Sequence, residues 1–178
     1  MGKRVLIPLA EGFEDLEAVT VIDLLRRAGL EVVTAGLEVG PVKGSRQTMI
    51  APDATLDNVL SQDFDMIVLP GGMPGSQHLA DDERVAGLVK KMAEAGKFTC
   101  AICAAPMALA RAGVLQGKRA TGYPGVIEGA NITGEAVERD GNVITGRGPG
   151  TAMDFALTLI EVLEGKEKRD EVEKALVR

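Results

Sequence analysis

Short apolar runs alternate with helical stretches along this chain, and that alternation limits what it can fold into. Arg4 to Leu9 is an almost uninterrupted apolar run of strand length. Glu14 to Ala28 places Leu16, Val19, Thr20, Asp23 and Leu24 at helical spacing, and Gly29 closes the helix. Glu31 to Ala35 is the next strand. Met66 to Leu69 is a short apolar strand between Asp65 and Pro70, and Asp81 to Ala95 is an amphipathic helix closed by Gly96. Phe98 to Ile102 is another buried strand and Pro106 to Ala112 a short helix. Asn142 to Thr145 is a strand, Thr151 to Leu163 a helix, and Glu167 to Val177 a charged terminal helix. The stretch from Pro41 to Leu56 is less regular, and Ser45 to Ala51 fits a hairpin or a small sheet at the edge. Apolar strands joined by helices predict a doubly wound α/β sandwich, with a mainly parallel sheet covered by helices on both faces. Ligands of such sheets bind beyond the carboxyl ends of the strands.

The 178 residues suit one domain, 1–178. With 46% hydrophobic but only 3% aromatic residues, the core must be aliphatic. A net charge of −6, and no basic run longer than Lys90-Lys91 or Arg26-Arg27, exclude a general nucleic-acid binder. Met1 to Val5 lacks the layout of a signal peptide, and no apolar run is long enough to span a membrane. Two cysteines make no disulfide framework, so a cytoplasmic protein with reduced thiols is expected.

Four strand ends converge on one mouth. After the first strand, Glu14, Asp15 and Glu17 crowd a helix start, where carboxylates complement the helix dipole. Glu17 stands among Leu16, Ala18 and Val19, where burial would raise its pKa and let it share a proton with a neighbour. After Leu69 comes Pro70-Gly71-Gly72-Met73-Pro74-Gly75, which is either an ordinary loop or a nest of N–H groups for an anion. After Ile102 comes Cys103-Ala104-Ala105-Pro106. The small residues Ala101 and Ala105 flank Cys103 as a nucleophile elbow requires, and a helix start there would favour the thiolate. A buried structural cysteine is the plain alternative. The fourth end carries Arg147, either a positive charge for the mouth or a structural ion-pair partner.

Cys100 and Cys103 match C-x-x-C, but Cys100 lies within a strand. Three residues at about 3.3 Å each put the Cα atoms about 10 Å apart, beyond the roughly 7 Å a disulfide tolerates. Cys100 is therefore core packing. Two cysteines and one histidine do not make a zinc set, so no metal is expected. His78 is the only histidine and reads as a solvated loop residue, which leaves Glu17 as the partner for Cys103.

The segments Ala101-Ile102-Cys103-Ala104-Ala105-Pro106, Leu69-Pro70-Gly71-Gly72, Glu14-Asp15-Leu16-Glu17-Ala18 and Arg147-Gly148-Pro149-Gly150-Thr151 together resemble the ThiJ/PfpI superfamily. The resemblance runs from Val5 to about Val177. It is closest to the branch of the parkinsonism-associated deglycase and its bacterial YajL-like relatives. It implies a flavodoxin-like sandwich that forms a homodimer, an oxidisable nucleophile at Cys103, a carboxylic acid at Glu17 bonded to it, and backbone donors at Gly72 and Ala104. It also implies that Arg46 reaches toward the partner subunit's site. Glu14, Gly71, Tyr123 and Arg147, at or near the strand ends, are further candidates for lining the mouth. The activities implied are cofactor-independent: glyoxalase III, deglycation of glycated protein, redox-regulated chaperoning and oxidative-stress sensing. Two positions depart from family patterns. Ala104 stands where the protease-like branch has histidine, which disfavours a protease. Tyr123 stands where the parkinsonism-associated member has a histidine, and a phenol is a poor base at neutral pH. The lead expectation is attack of the Cys103 thiolate on an α-oxoaldehyde or its early adduct, with Glu17 moving the proton. The alternative is a non-enzymatic sensor or chaperone that uses oxidation of the same sulfur.

Overall fold

The computed structural model describes residues 2–178. The chain begins with β1 (Arg4–Leu9), α1 (Asp15–Arg27) and β2 (Glu31–Gly36). A hairpin of β3 (Val42–Lys43) and β4 (Met49–Ile50) follows, then β5 (Ala54–Thr55), α2 (Leu56–Val59) and β6 (Met66–Leu69). Next come α3 (Gly75–Asp81), α4 (Glu83–Glu94), β7 (Phe98–Ile102) and α5 (Pro106–Arg111). The remainder comprises β8 (Arg119–Ala120), β9 (Asn131–Ile132), β10 (Val137–Asp140), β11 (Val143–Gly146), α6 (Ala152–Glu164) and α7 (Lys166–Ala175).

Seven strands form the main sheet in the order β10-β11-β7-β6-β1-β2-β5. All neighbours are parallel except β10 and β11. The period of two along each strand sorts side chains into two cores. On β1, Val5, Ile7 and Leu9 face one layer, where they join Leu25 of α1 and Phe155 of α6. Leu6 faces the other layer with Leu79 of α3, Leu88 of α4 and Leu109 of α5. The inner strands β1, β6, β7 and β11 are buried on both faces, which is why they read as continuous apolar runs. This is the expected α/β sandwich.

Three local differences from the sequence expectation have physical causes. The Asp81–Ala95 helix is two helices, because the Asp82 carboxylate accepts the Arg84 N–H at 2.9 Å and caps the second. The preceding Gly75–Asp81 turns, expected to be loop, form the first. The strand expected at Asn142–Thr145 is Val143–Gly146, and it has an antiparallel neighbour, β10, whose Glu138, Arg139 and Asp140 hide it from a search for apolar runs. The Ser45–Ala51 stretch supplies one arm of a hairpin that pairs as a separate two-stranded sheet.

Candidate active site

β7 delivers its chain to the carboxyl edge of the sheet, and Cys103 turns it sharply at a φ of 63°. A non-glycine residue in that left-handed region costs roughly 1–2 kcal/mol, so the surroundings must hold it there. Its N–H donates to the Gly146 carbonyl at 2.9 Å, and its carbonyl accepts the Tyr123 N–H at 2.7 Å. Close packing shapes the rest of the elbow. A Cβ on Gly71 would lie 2.6 Å from the Cys103 Cβ and 2.5 Å from Glu17 Oε1. Gly72, at a φ of 93°, presses against the Glu14 backbone. Cys103 itself is 6% exposed, so its sulfur meets solvent through a narrow opening.

The three carboxyl groups of Glu14-Asp15-Leu16-Glu17 have separate places. Glu14 caps α1 by accepting the Glu17 N–H at 3.0 Å, while its own N–H donates to the Gly71 carbonyl. Asp15 points away from the elbow and accepts the N–H groups of Arg46 and Thr48, each at 2.9 Å, so it ties the β3–β4 turn to α1. Those bonds hold its carboxyl below the usual range, against the burial that would raise it. Glu17 turns inward and is fully buried. Its Oε1 accepts the Gly71 N–H at 3.1 Å, and its Oε2 is buried without a hydrogen-bond partner among the described residues. The Cys103 side chain stands beside this carboxyl, on the other side of the space a Gly71 Cβ would fill.

Burial pushes the Glu17 carboxyl up to about 7, and the nearby Glu14 charge adds to the rise; the Cys103 thiol and the Gly71 N–H oppose it. Burial also pushes the Cys103 thiol up, to about 12, and the Glu17 carboxylate contributes as a negative charge and as acceptor of the thiol proton. The Ala104 and Gly72 N–H groups turn toward the sulfur and act the other way. The expected lowering of the thiol pKa by a helix start is therefore overturned. The α5 helix has only six residues, and burial beside an anion outweighs its dipole. Once Glu17 is protonated its effect reverses, because a carboxylic O–H donates to sulfur and favours thiolate. The pair thus holds one shared proton above about neutral pH, and its protons leave in steps that belong to both groups.

Cys103, Glu17, Gly71, Gly72 and Ala104 come together, with Glu14 on the rim. Tyr123 is at the mouth by its backbone, and its ring is 54% exposed. Arg147 is exposed and directs its guanidinium to the Gly134 carbonyl at 2.9 Å, which makes it a brace for the segment before β10. Arg46 is exposed on the β3–β4 turn and its side chain bonds to nothing within the described residues. His78 is exposed on α3. Cys100 is fully buried within β7, burial pushes its thiol up, and both cysteines are free. No group of three potential metal ligands occurs among the described residues. The sequence did not reveal the work of Asp15, of Gly146, or of the Thr121–Tyr123 segment, because each acts through backbone groups brought together from distant parts of the chain.

Residues 3–162 match the DJ-1/PfpI family. Protein dj-1beta of Drosophila melanogaster is 45% identical over 99% of this chain and 98% of its own length. The glutathione-independent glyoxalase DJR-1.2 of Caenorhabditis elegans is 37% identical over 97% of this chain and 94% of its own. Among solved structures, Drosophila DJ-1beta superposes with a TM-score of 0.96 at 44% identity, covering 99% of this chain and 98% of that one. Oxidized Toxoplasma gondii DJ-1 superposes with a TM-score of 0.95 at 36% identity over the same shares. With a cysteine on a left-handed strand-end turn, a buried carboxyl beside it and this degree of similarity over nearly its whole length, the chain belongs to the DJ-1/PfpI family.

Proposed function

We propose that this protein is a cofactor-independent enzyme that uses Cys103 to convert α-oxoaldehydes such as methylglyoxal and glyoxal, free or as their early adducts on protein. The observation that carries it is the buried Glu17 carboxyl, poised at about 7, against the Cys103 thiol on its strained turn. The sulfur adds to the aldehyde carbon, and the new oxygen takes the proton shared by the pair, giving a hemithioacetal. The Glu17 carboxylate then removes the proton on that carbon, the hydroxyl proton passes to the neighbouring carbonyl oxygen through the enediol, and the carboxyl returns its proton to the neighbouring carbon. The product is a thioester of a 2-hydroxy acid, which water cleaves to release the acid and restore the thiol. One carbon is oxidised and its neighbour reduced, so the electrons balance within the substrate. The Gly72 and Ala104 N–H groups steady negative charge at the sulfur during addition and release. The C. elegans relative named a glutathione-independent glyoxalase supports this chemistry. Cys103→Ser abolishes formation of the 2-hydroxy acid from methylglyoxal, whereas full activity in the purified variant sinks the proposal.

A second reading, an oxidation sensor, is favoured by the same convergence. Two N–H groups and a carboxylic acid around one sulfur are the donors a sulfinate requires, and a relative is known in oxidized form. Mild peroxide is expected to add two oxygens to the Cys103 peptide alone; equal oxidation of Cys100 counts against it.

A homodimer completes the proposal. Leu16, Val19 and Met49 are 52%, 45% and 55% exposed on α1 and the β3–β4 hairpin that Asp15 joins to it. A second copy covering these apolar side chains would give twice the monomer mass in light scattering at micromolar concentration, and a monomeric mass refutes it. No helix among the described residues is long and apolar enough to cross a membrane.

A further inference from the structure

The two backbone polar groups of Cys103 lead to neighbouring residues of β11, Gly146 and Thr145. Its N–H goes directly to the Gly146 carbonyl. Its carbonyl goes to the Tyr123 N–H, and that segment is anchored by the Thr121 N–H donating 2.9 Å to the buried Oγ1 of Thr145. The Thr121 hydroxyl donates in turn to the Glu135 carbonyl at 2.6 Å. Gly122 fits tightly between, since a Cβ there would stand 2.9 Å from the Cys103 carbonyl oxygen and 2.4 Å from Ile127. Thr121 and Thr145 are both fully buried, so water does not substitute for either partner.

We propose that Thr145 is a positioning residue for Cys103: its Oγ1 fixes Thr121, and the Thr121–Tyr123 backbone then pins the Cys103 carbonyl opposite the Gly146 anchor. The left-handed turn at Cys103 persists only while its surroundings over-determine it. A serine or threonine hydroxyl is the smallest side chain able to accept an N–H at this depth, and valine has the same shape without the acceptor. With Thr121 released, the elbow relaxes and the sulfur drifts from the Gly72 and Ala104 N–H groups and from Glu17. The influence of Thr145 on Cys103 runs through the Thr121–Tyr123 backbone.

This inference concerns the same site as the proposed carbonyl chemistry, and its test is independent of turnover. The full-length protein and its Thr145→Val and Thr145→Ser variants are alkylated with iodoacetamide across pH 5 to 10, with the mass of the Cys103 peptide as the readout. Thr145→Val is expected to move the midpoint of the alkylation profile by about half a unit or more, and Thr145→Ser to restore it. With methylglyoxal, kcat of Thr145→Val falls on the order of tenfold to a hundredfold, while KM stays within about twofold. Tyr123→Pro removes the N–H that holds the Cys103 carbonyl and is expected to move the midpoint the same way. An unchanged midpoint in both Thr145→Val and Tyr123→Pro overturns the inference. Equal impairment of Thr145→Val and Thr145→Ser also overturns it, since that outcome reports packing rather than the hydroxyl. If none of the proteins converts methylglyoxal but the midpoint moves in valine and returns in serine, the positioning role stands and the carbonyl chemistry falls.

Discussion

Glu17→Gln is expected to lower methylglyoxal turnover on the order of 10²- to 10⁴-fold, the usual worth of a positioned acid–base group, while leaving Cys103 open to alkylation. Glutamine keeps the shape and can still accept the Gly71 N–H, but it cannot take a proton from the hemithioacetal carbon. Two further readouts separate this from general damage. Turnover by the native protein is expected to rise as pH passes through about 7, where the pair loses one of its two protons. That near-neutral rise disappears in the variant. Stability also changes, with a definite sign. The folded state holds the Glu17 proton up to about 7, against 4.5 for an ordinary glutamate. Between those values the folded protein binds more protons than the unfolded chain, so native stability declines as pH rises through the interval. Glutamine has no charge to bury. At pH 8 the variant is therefore expected to exceed the native protein by up to about 3 kcal/mol, with the gain shrinking toward pH 5. Denaturant titrations at the two pH values read this directly, and equal stability at pH 8 would show that Glu17 is not buried as a charge.

Gly71→Ala carries the other large effect. The added methyl would enter a space where Glu17 Oε1, Cys103 Cβ and the Ile102 carbonyl stand at 2.5, 2.6 and 2.8 Å. Two of these are parts of the reacting pair and the third is strand backbone, so something must move. Overpacking of this kind costs about 1–3 kcal/mol. Misplacing the nucleophile by about 1 Å loses on the order of a hundredfold in rate. The expected result is a folded protein with turnover reduced at least a hundredfold and a melting temperature lower by about 5 °C. Gly87→Ala is the matched control. Gly87 is exposed in α4 with open space around it, so the same methyl raises stability by up to about 1 kcal/mol. Native turnover in Gly71→Ala would show that the elbow tolerates a displacement these distances forbid.

Much of the frame was legible because its causes are local. Apolar runs of strand length, glycines at helix ends and the small flanks of Cys103 are properties of neighbouring residues, and they sufficed to place the sheet and to separate Cys103 from Cys100. β10 escaped because an edge strand has one face in solvent, and its Glu138, Arg139 and Asp140 carry no apolar signal. Arg147 remained open because an arginine's partner is a matter of distance through space. The structure gives it the Gly134 carbonyl.

The reactive cysteine illustrates the division between the two levels. The sequence by itself determined that Cys103 stands at a strand end, among small residues, with carboxylates as the only acid–base partners within the motifs. It suggested that a helix start would make the thiol acidic. The sequence also pointed to Glu17 and to a raised pKa there; only the tertiary structure decided that Glu14 and Asp15 are engaged by backbone N–H groups elsewhere, and that burial beside Glu17 raises the thiol pKa as well. Desolvation and charge proximity depend on how β1, β6, β7 and β11 meet at one edge, and spacing along the chain does not encode that meeting. The same is true of the left-handed turn at Cys103, which rests on carbonyl and amide groups of residues more than 19 positions away.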